Sequence, residues 1–286
     1  MGLIRCVAVG GQGIASGFRD AIALSWRLAM TCRSNAIDFD QAFTAWYRER
    51  KQQLEASLAA TVRNGDMVTS QDPLKIFVRD WGLWLLQLFP TVKRWLELGP
   101  RNAGAMQYTY EAGMAFIPEL GGGICFPQVY CTRLEPRLGT PPVWFTDDVV
   151  FADEKKAMFQ IVVLVDNLTQ LGTLRRDLDG LDRICARLSP TEASFFVRRE
   201  GIPANFSYEG LSTDNTFRIA SAMEFESSPL CTGRPPAIGY REGEMWKKMR
   251  GKRYIIVRLD RFVFAACKTR QELDRAAQAL NNLFPS

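Results

Sequence analysis

The residues best suited to chemistry sit close to the first residue, in the run Gly10-Gly11-Gln12-Gly13-Ile14-Ala15-Ser16-Gly17-Phe18-Arg19-Asp20. Glycines packed against the start of a helix let an anionic or flat group approach the peptide plane, because no Cβ stands in the way. The first amides of a helix have no partner within it and carry the positive end of its dipole, so the same spot favours negative charge. The chemistry on offer is therefore electrostatic: stabilising an anion against backbone N–H groups. The spacing predicts that this loop opens a helix running to about Thr31, with Ile14, Phe18, Ile22, Ser25 and Leu28/Ala29 on one face.

Other chemistries are restricted by what the chain contains. It has no histidine, which removes imidazole acid–base catalysis, Ser-His and Cys-His nucleophiles and most zinc sites. Its seven cysteines, Cys6, Cys32, Cys125, Cys131, Cys185, Cys231 and Cys267, are scattered and form no C-x-x-C. That pattern predicts reduced thiols in a cytoplasmic protein, with neither a disulfide framework nor a metal site. The net charge of +5 is dispersed, and Arg175-Arg176, Arg198-Arg199 and Lys247-Lys248 are isolated basic pairs without interleaved aromatics, so no nucleic-acid partner is expected. The most apolar stretch, from Ile76 to Leu98, is interrupted by Arg79, Asp80, Pro90, Lys93 and Arg94, which excludes a membrane span. An interfacial helix is the alternative there, disfavoured because the charges do not gather on one basic face. Leu3 to Val9 is too short for the apolar core of a targeting peptide.

The wording of the glycine-rich segment, continued by Leu24-Ser25-Trp26-Arg27-Leu28, resembles the late flavin-contacting segment of class A FAD-dependent aromatic monooxygenases. It looks most like the branch of phenol and hydroxyphenylpropionate hydroxylases, including enzymes of fungal polyketide pathways. The resemblance implies FAD as cofactor, held through Gly11, Gln12, Gly13, Ile14 and Ala15 beside the pyrimidine edge of the flavin ring. It further implies NADPH or NADH as reductant, oxygen as co-substrate, and a phenolic or polyketide ring as the small-molecule substrate in secondary metabolism. The family's first FAD motif, a G-x-G-x-x-G turn, and its Gly-Asp pair find no counterpart in Met1 to Val9, so the chain looks like the C-terminal half of such an enzyme.

The elements that must hold the loop follow. Asp38 and Gln41 form a capping-box pattern for a second helix. Phe39, Phe43, Trp46/Tyr47, Arg50, Leu54, Leu58 and Thr61/Val62 give its helical spacing, and Asn64-Gly65 its expected stop. Tyr47, Glu49 and Arg50 loosely match a Tyr-x-x-Glu-Arg phrase of the resembled family and are expected to tie the helix to the domain body. The Trp-rich stretch at 74–98 reads as core or subunit contact, with a substrate entrance as the lesser alternative. Punctuation from Gly113 to Pro142 marks a boundary. Beyond it, Met158–Val165 and Ser194–Val197 read as strands and Leu171–Leu188 as an amphipathic helix. Tyr254–Leu259 and Phe262–Ala266 form a strand pair around Asp260-Arg261, and Thr269 with Glu272 caps a last helix.

The expected fold class is thus α/β (α+β): a mostly helical partial FAD domain over 1–123, followed over 124–286 by a domain similar to the thioredoxin-like C-terminal domain of the same branch. In the resembled enzymes that domain is structural and contributes to dimers, so a homodimer is implied. Lacking C-x-x-C, it has no redox dithiol. Two functions stand open: an FAD-dependent aromatic monooxygenase, or a catalytically inactive fragment or scaffold partner of a full-length one. No residue stands out as the catalytic acid or base; Tyr108, Tyr110 and Glu111 are candidates only by their place in the chain. Surface left bare by an absent half predicts an oligomeric or poorly soluble chain.

Overall fold

The computed structural model describes residues 13–33, 37–90, 92, 107–134, 142–203, 212–229, 232 and 240–285. The chain divides into two compact units, one of Met1–Arg27 with Asp40–Met114 and one of Leu28–Phe39 with Ala115–Ser286.

The first unit is helical. Helix α1 spans Gly13–Arg33, α2 Phe39–Thr69 and α3 Pro73–Gln87. α2 runs through Asn64-Gly65, where the sequence predicted its end. A single glycine costs a helix interior only about 1 kcal/mol, and here the Thr69 hydroxyl donates to the Gly65 carbonyl at 2.8 Å one turn later. A clean break follows: Asp72 caps α3 by accepting from the Leu74 amide at 2.9 Å, and Pro73 occupies the first helical position.

The apolar face that the periodicity picks out on α1 is not the buried one. Ile14, Phe18, Ile22 and Leu28 are exposed, whereas Ala23, Trp26, Arg27, Met30 and Thr31 are buried. α3 departs from expectation in the same way: none of its residues is buried, and Leu74, Phe77, Val78, Trp81, Trp84 and Leu85 all face outward. Over its described residues the Trp-rich stretch is therefore no core segment, which leaves the subunit contact among the expectations for it.

The second unit is built on one seven-stranded mixed sheet in the order β2-β1-β5-β4-β3-β6-β7. Its strands are β1 Tyr130–Arg133, β2 Trp144–Phe145, β3 Phe159–Val165, β4 Ser194–Val197, β5 Thr216–Ile219, β6 Tyr254–Arg258 and β7 Val263–Cys267. β3, β4 and β5 are mutually parallel; β6 and β7 close one side as antiparallel neighbours, and β1 and β2 the other. Every residue of β3 and of β6 is buried, as sheets covered on both faces require. On one face Val162, Leu164, Phe196, Phe217, Ile255 and Val257 pack with α4 (Thr146–Val150) and α8 (Glu244–Met249). The remaining α-helices among the described residues are α5 (Leu171–Arg176), α6 (Leu181–Ile184), α7 (Ala222–Glu226) and α9 (Arg270–Leu283). Of these α5 packs on β3, and α9 on β7 and α6.

The single helix predicted over Leu171–Leu188 is instead two short ones, because Gly180 takes the left-handed conformation (φ 78°) between them. Its apolar residues Leu174, Leu178 and Leu181 are nonetheless buried, so the pattern read the face and not the break. Thr269 caps α9 as expected, accepting from the Glu272 amide at 3.2 Å, while Glu272 reaches back to the Lys268 amide rather than to that of Thr269. Among the boundary glycines, Gly122 has a packing reason. A Cβ there would lie 2.4 Å from the Phe264 carbonyl oxygen, in the turn that joins β7 through the Ile117 amide.

Candidate functional site

The glycine-rich loop meets the described structure at Gly13, the first residue of α1; Gly11 and Gln12 lie outside the described residues. The first turn of α1 carries no acidic side chain. Ile14 is 76% exposed, so the ground beside that turn is open and apolar.

What fixes α1 is a set of charges from α2. Glu49 and Arg27 form an ion pair at 2.8 Å with side chains 0% and 1% exposed. Arg27 also donates to the Ala23 carbonyl at 2.7 Å and lies 4.3 Å over the Trp26 ring. One residue further on, Arg50 pairs with Asp20 and Gln53 and donates to the Ser16 hydroxyl at 3.4 Å. Asp20 and Arg27 are seven residues apart and so share a helix face, which lets the adjacent Glu49 and Arg50 hold α1 at two points about two turns apart. Glu49 and Arg50 accordingly tie the two helices together, and Tyr47, 59% exposed, is not part of that contact. The pairing also explains why the hydrophobic pattern misread α1: its buried stripe includes Arg27, which apolar periodicity cannot see.

The residues suggested by their place in the chain are held structurally. Glu111 accepts from Gln52 at 2.7 Å and lies 3.6 Å from Arg48, and the Thr109 amide donates to Gln52 at 2.9 Å. Tyr108 is buried and Tyr110 half-exposed.

The second unit holds a cleft of about 650 Å³ that the sequence did not reveal. It lies where β3 and β4 end, and its lining includes Asp166, Arg198, Arg199, Glu242, Trp246 and Lys247. Arg198 spans it, 3.2 Å from Asp166 and 4.9 Å over the Trp246 ring. Arg198-Arg199 and Lys247, drawn from two of the isolated basic pairs in the sequence, thus converge, and carboxylates balance them. Burial raises the pKa of Cys125, Cys131 and Cys185, and pushes that of Cys267 up to about 12, so these four thiols are poor nucleophiles. Among the described residues no cluster of three metal-ligating side chains occurs, and no helix is long and apolar enough to cross a membrane.

No family model matches the chain. The chain spans about 15% of the length of the curated relatives it matches. Over 85 residues, 30% of its own length, it is 33% identical and thus similar to the 3-(3-hydroxy-phenyl)propionate/3-hydroxycinnamic acid hydroxylases of Escherichia coli strains HS, SMS-3-5 and SE11.

Proposed function

We propose that this chain is the flavin-loop and C-terminal portion of an FAD-dependent aromatic monooxygenase that uses NAD(P)H and oxygen to hydroxylate a phenolic or polyketide ring. The observation that carries the reading is the glycine-rich entry into α1, whose wording resembles the flavin-contacting segment of enzymes like the hydroxylases it matches. The described residues fit an anionic planar group: a helix start without acidic side chains, open beside Ile14, on a helix fixed by buried charges. Gly11, Gln12, Gly13, Ile14 and Ala15 would hold the ring edge, and FAD when bound supplies the oxygen-transfer chemistry. The contribution of this chain is to present backbone N–H groups to negative charge and to keep α1 in place beneath them.

Gly13→Asp tests this without disturbing the helix. A carboxylate in the first turn stabilises α1 but repels an anionic ligand. FAD affinity is expected to fall on the order of tenfold with an unchanged circular-dichroism spectrum, and equal affinity for both chains would count against the reading.

A thioredoxin-like second domain is supported by its strand order. A parallel β4-β3 core joined through α5 and α6, then antiparallel β6 and β7 and the closing α9, is the arrangement that fold requires. Its role here is structural, since the turn after β3 carries Asp166 and Asn167 and no cysteine pair.

A homodimer is supported by α3. Leu74, Phe77, Val78, Trp81, Trp84, Leu85 and Leu88 recur at helical spacing on an exposed stripe, with Trp81 and Trp84 in edge contact at 5.6 Å. Half-exposed aromatics leave roughly 100 Å² each uncovered, so the stripe reaches several hundred Å², beyond what monomers ordinarily expose. The double variant Trp81→Glu with Trp84→Glu is expected to shift light-scattering mass from dimer to monomer without loss of helix. Wild-type chain that is already monomeric at tens of micromolar would rule the dimer out. The same bare faces of α1 and α3 favour a second reading, a non-catalytic partner that associates with a full-length hydroxylase.

A further inference from the structure

We propose that Lys155 is a covalent-modification site for acyl electrophiles, its amine held half-buried against the Ser194 hydroxyl with no carboxylate within ion-pair distance among the described residues. The amine is caught between the end of α4 and the start of β4. Its Nζ donates to Ser194 Oγ at 2.5 Å, and that fully buried hydroxyl in turn donates to the Val149 carbonyl at 3.5 Å. The backbone is fixed as well, the Lys155 amide donating to the Ala152 carbonyl at 2.9 Å.

An ammonium removed from water needs a counter-charge, and a hydroxyl is a poor one. Two carboxylates face this amine without pairing with it. Glu192 is committed elsewhere, accepting from the amides of Lys156 and Ala157 at 3.0 and 2.9 Å and from Gln160 at 3.4 Å. Glu154 is its neighbour in sequence and makes no ion pair with it. Both favour the charged form, but burial outweighs them and lowers the pKa of Lys155 to about 8. Neutral amine is the nucleophile.

The step is ordinary acyl transfer. The lone pair of Nζ attacks the carbonyl carbon of an acyl thioester, a C–N bond forms and the C–S bond breaks. The thiolate leaves and takes up the proton that nitrogen loses, giving an amide and a free thiol. At pH 7.4 an amine of pKa ~8 is about one-fifth neutral, against ~0.1% for an ordinary lysine. Lower basicity reduces intrinsic nucleophilicity, by about a factor of ten if amines follow the Brønsted slope of thiols. The net gain is on the order of tenfold.

The test is a time course of acetylation of the full chain by acetyl-coenzyme A, followed residue by residue with peptide mass spectrometry. It is run on folded protein and on the same chain unfolded in guanidinium, where burial is gone. Lys155 is expected to react about tenfold faster at pH 7.4 in the folded chain, with a rate that levels off above about pH 8. A folded-state rate equal to or below the unfolded one, or one still climbing through pH 10, would overturn the proposal.

Discussion

Glu49→Ala is expected to destabilise the helical unit by about 3–5 kcal/mol, the usual cost of removing one partner from a buried ion pair. The reason lies in what is left behind. Arg27 is 1% exposed, and without Glu49 its guanidinium keeps the Ala23 carbonyl and the Trp26 ring but loses its carboxylate. A net stability of order 5–15 kcal/mol leaves little room for such a loss. Thermal unfolding followed at 222 nm should move down by on the order of 10 °C, at 2–4 °C per kcal/mol. The double variant Arg27→Met with Glu49→Leu removes both charges and should recover most of the difference, because apolar side chains of similar volume replace a pair whose desolvation was costly. If Glu49→Ala melted within a degree of wild type, the pair would not be holding α1.

Arg258→Met should be as damaging in the second unit. Arg258 ends β6, is fully buried, and grips Asp260 through two bonds at 2.9 and 2.5 Å. It also donates to the Ala115 carbonyl at 3.2 Å. This fork fixes the hairpin, in which Arg261 takes the left-handed conformation (φ 69°) and Asp260 accepts from the Phe262 amide at 3.3 Å. Methionine fills the volume but takes the guanidinium away from a buried carboxylate, an expected loss of about 3–5 kcal/mol. Arg258→Lys keeps the charge without the planar fork and should fall between the two. Chemical denaturation of the three chains checks the order; Lys and Met variants equally stable would mean that the fork geometry does not matter.

The strand pair around Asp260-Arg261 was visible in the sequence, and so were several elements near it. β3 announces itself as an apolar run interrupted only by Gln160, β4 and the β6–β7 hairpin as short runs between turn residues, and α9 by its cap and its stripe of Leu273, Ala276, Ala277 and Leu280. β1, β2 and β5 were not legible. Thr216–Ile219 includes an arginine and follows a turn at Asn215 (φ 52°), and it is a strand because β4 and β1 pair with it on either side. Pairing partners distant in the chain leave no local mark. The readings of α1 and α3 meet one limit. Apolar periodicity marks a face that wants covering, and it cannot say what covers it. On α1 the covered face is polar in part, since Arg27 finds Glu49 twenty-two residues on. On α3 the apolar stripe is simply exposed. The Lys155–Ser194 contact was illegible for a related reason: its two residues are 39 apart and neither belongs to a motif.

The most direct test of the central claim is a titration of the purified chain with FAD, read by flavin fluorescence quenching and by the visible spectrum retained after desalting. Saturable binding with a retained flavin band, weakened in Gly13→Asp, is the result expected of a chain that presents its glycine-rich loop to the ring. A folded protein that stays colourless and leaves flavin fluorescence unquenched up to high micromolar FAD would contradict it.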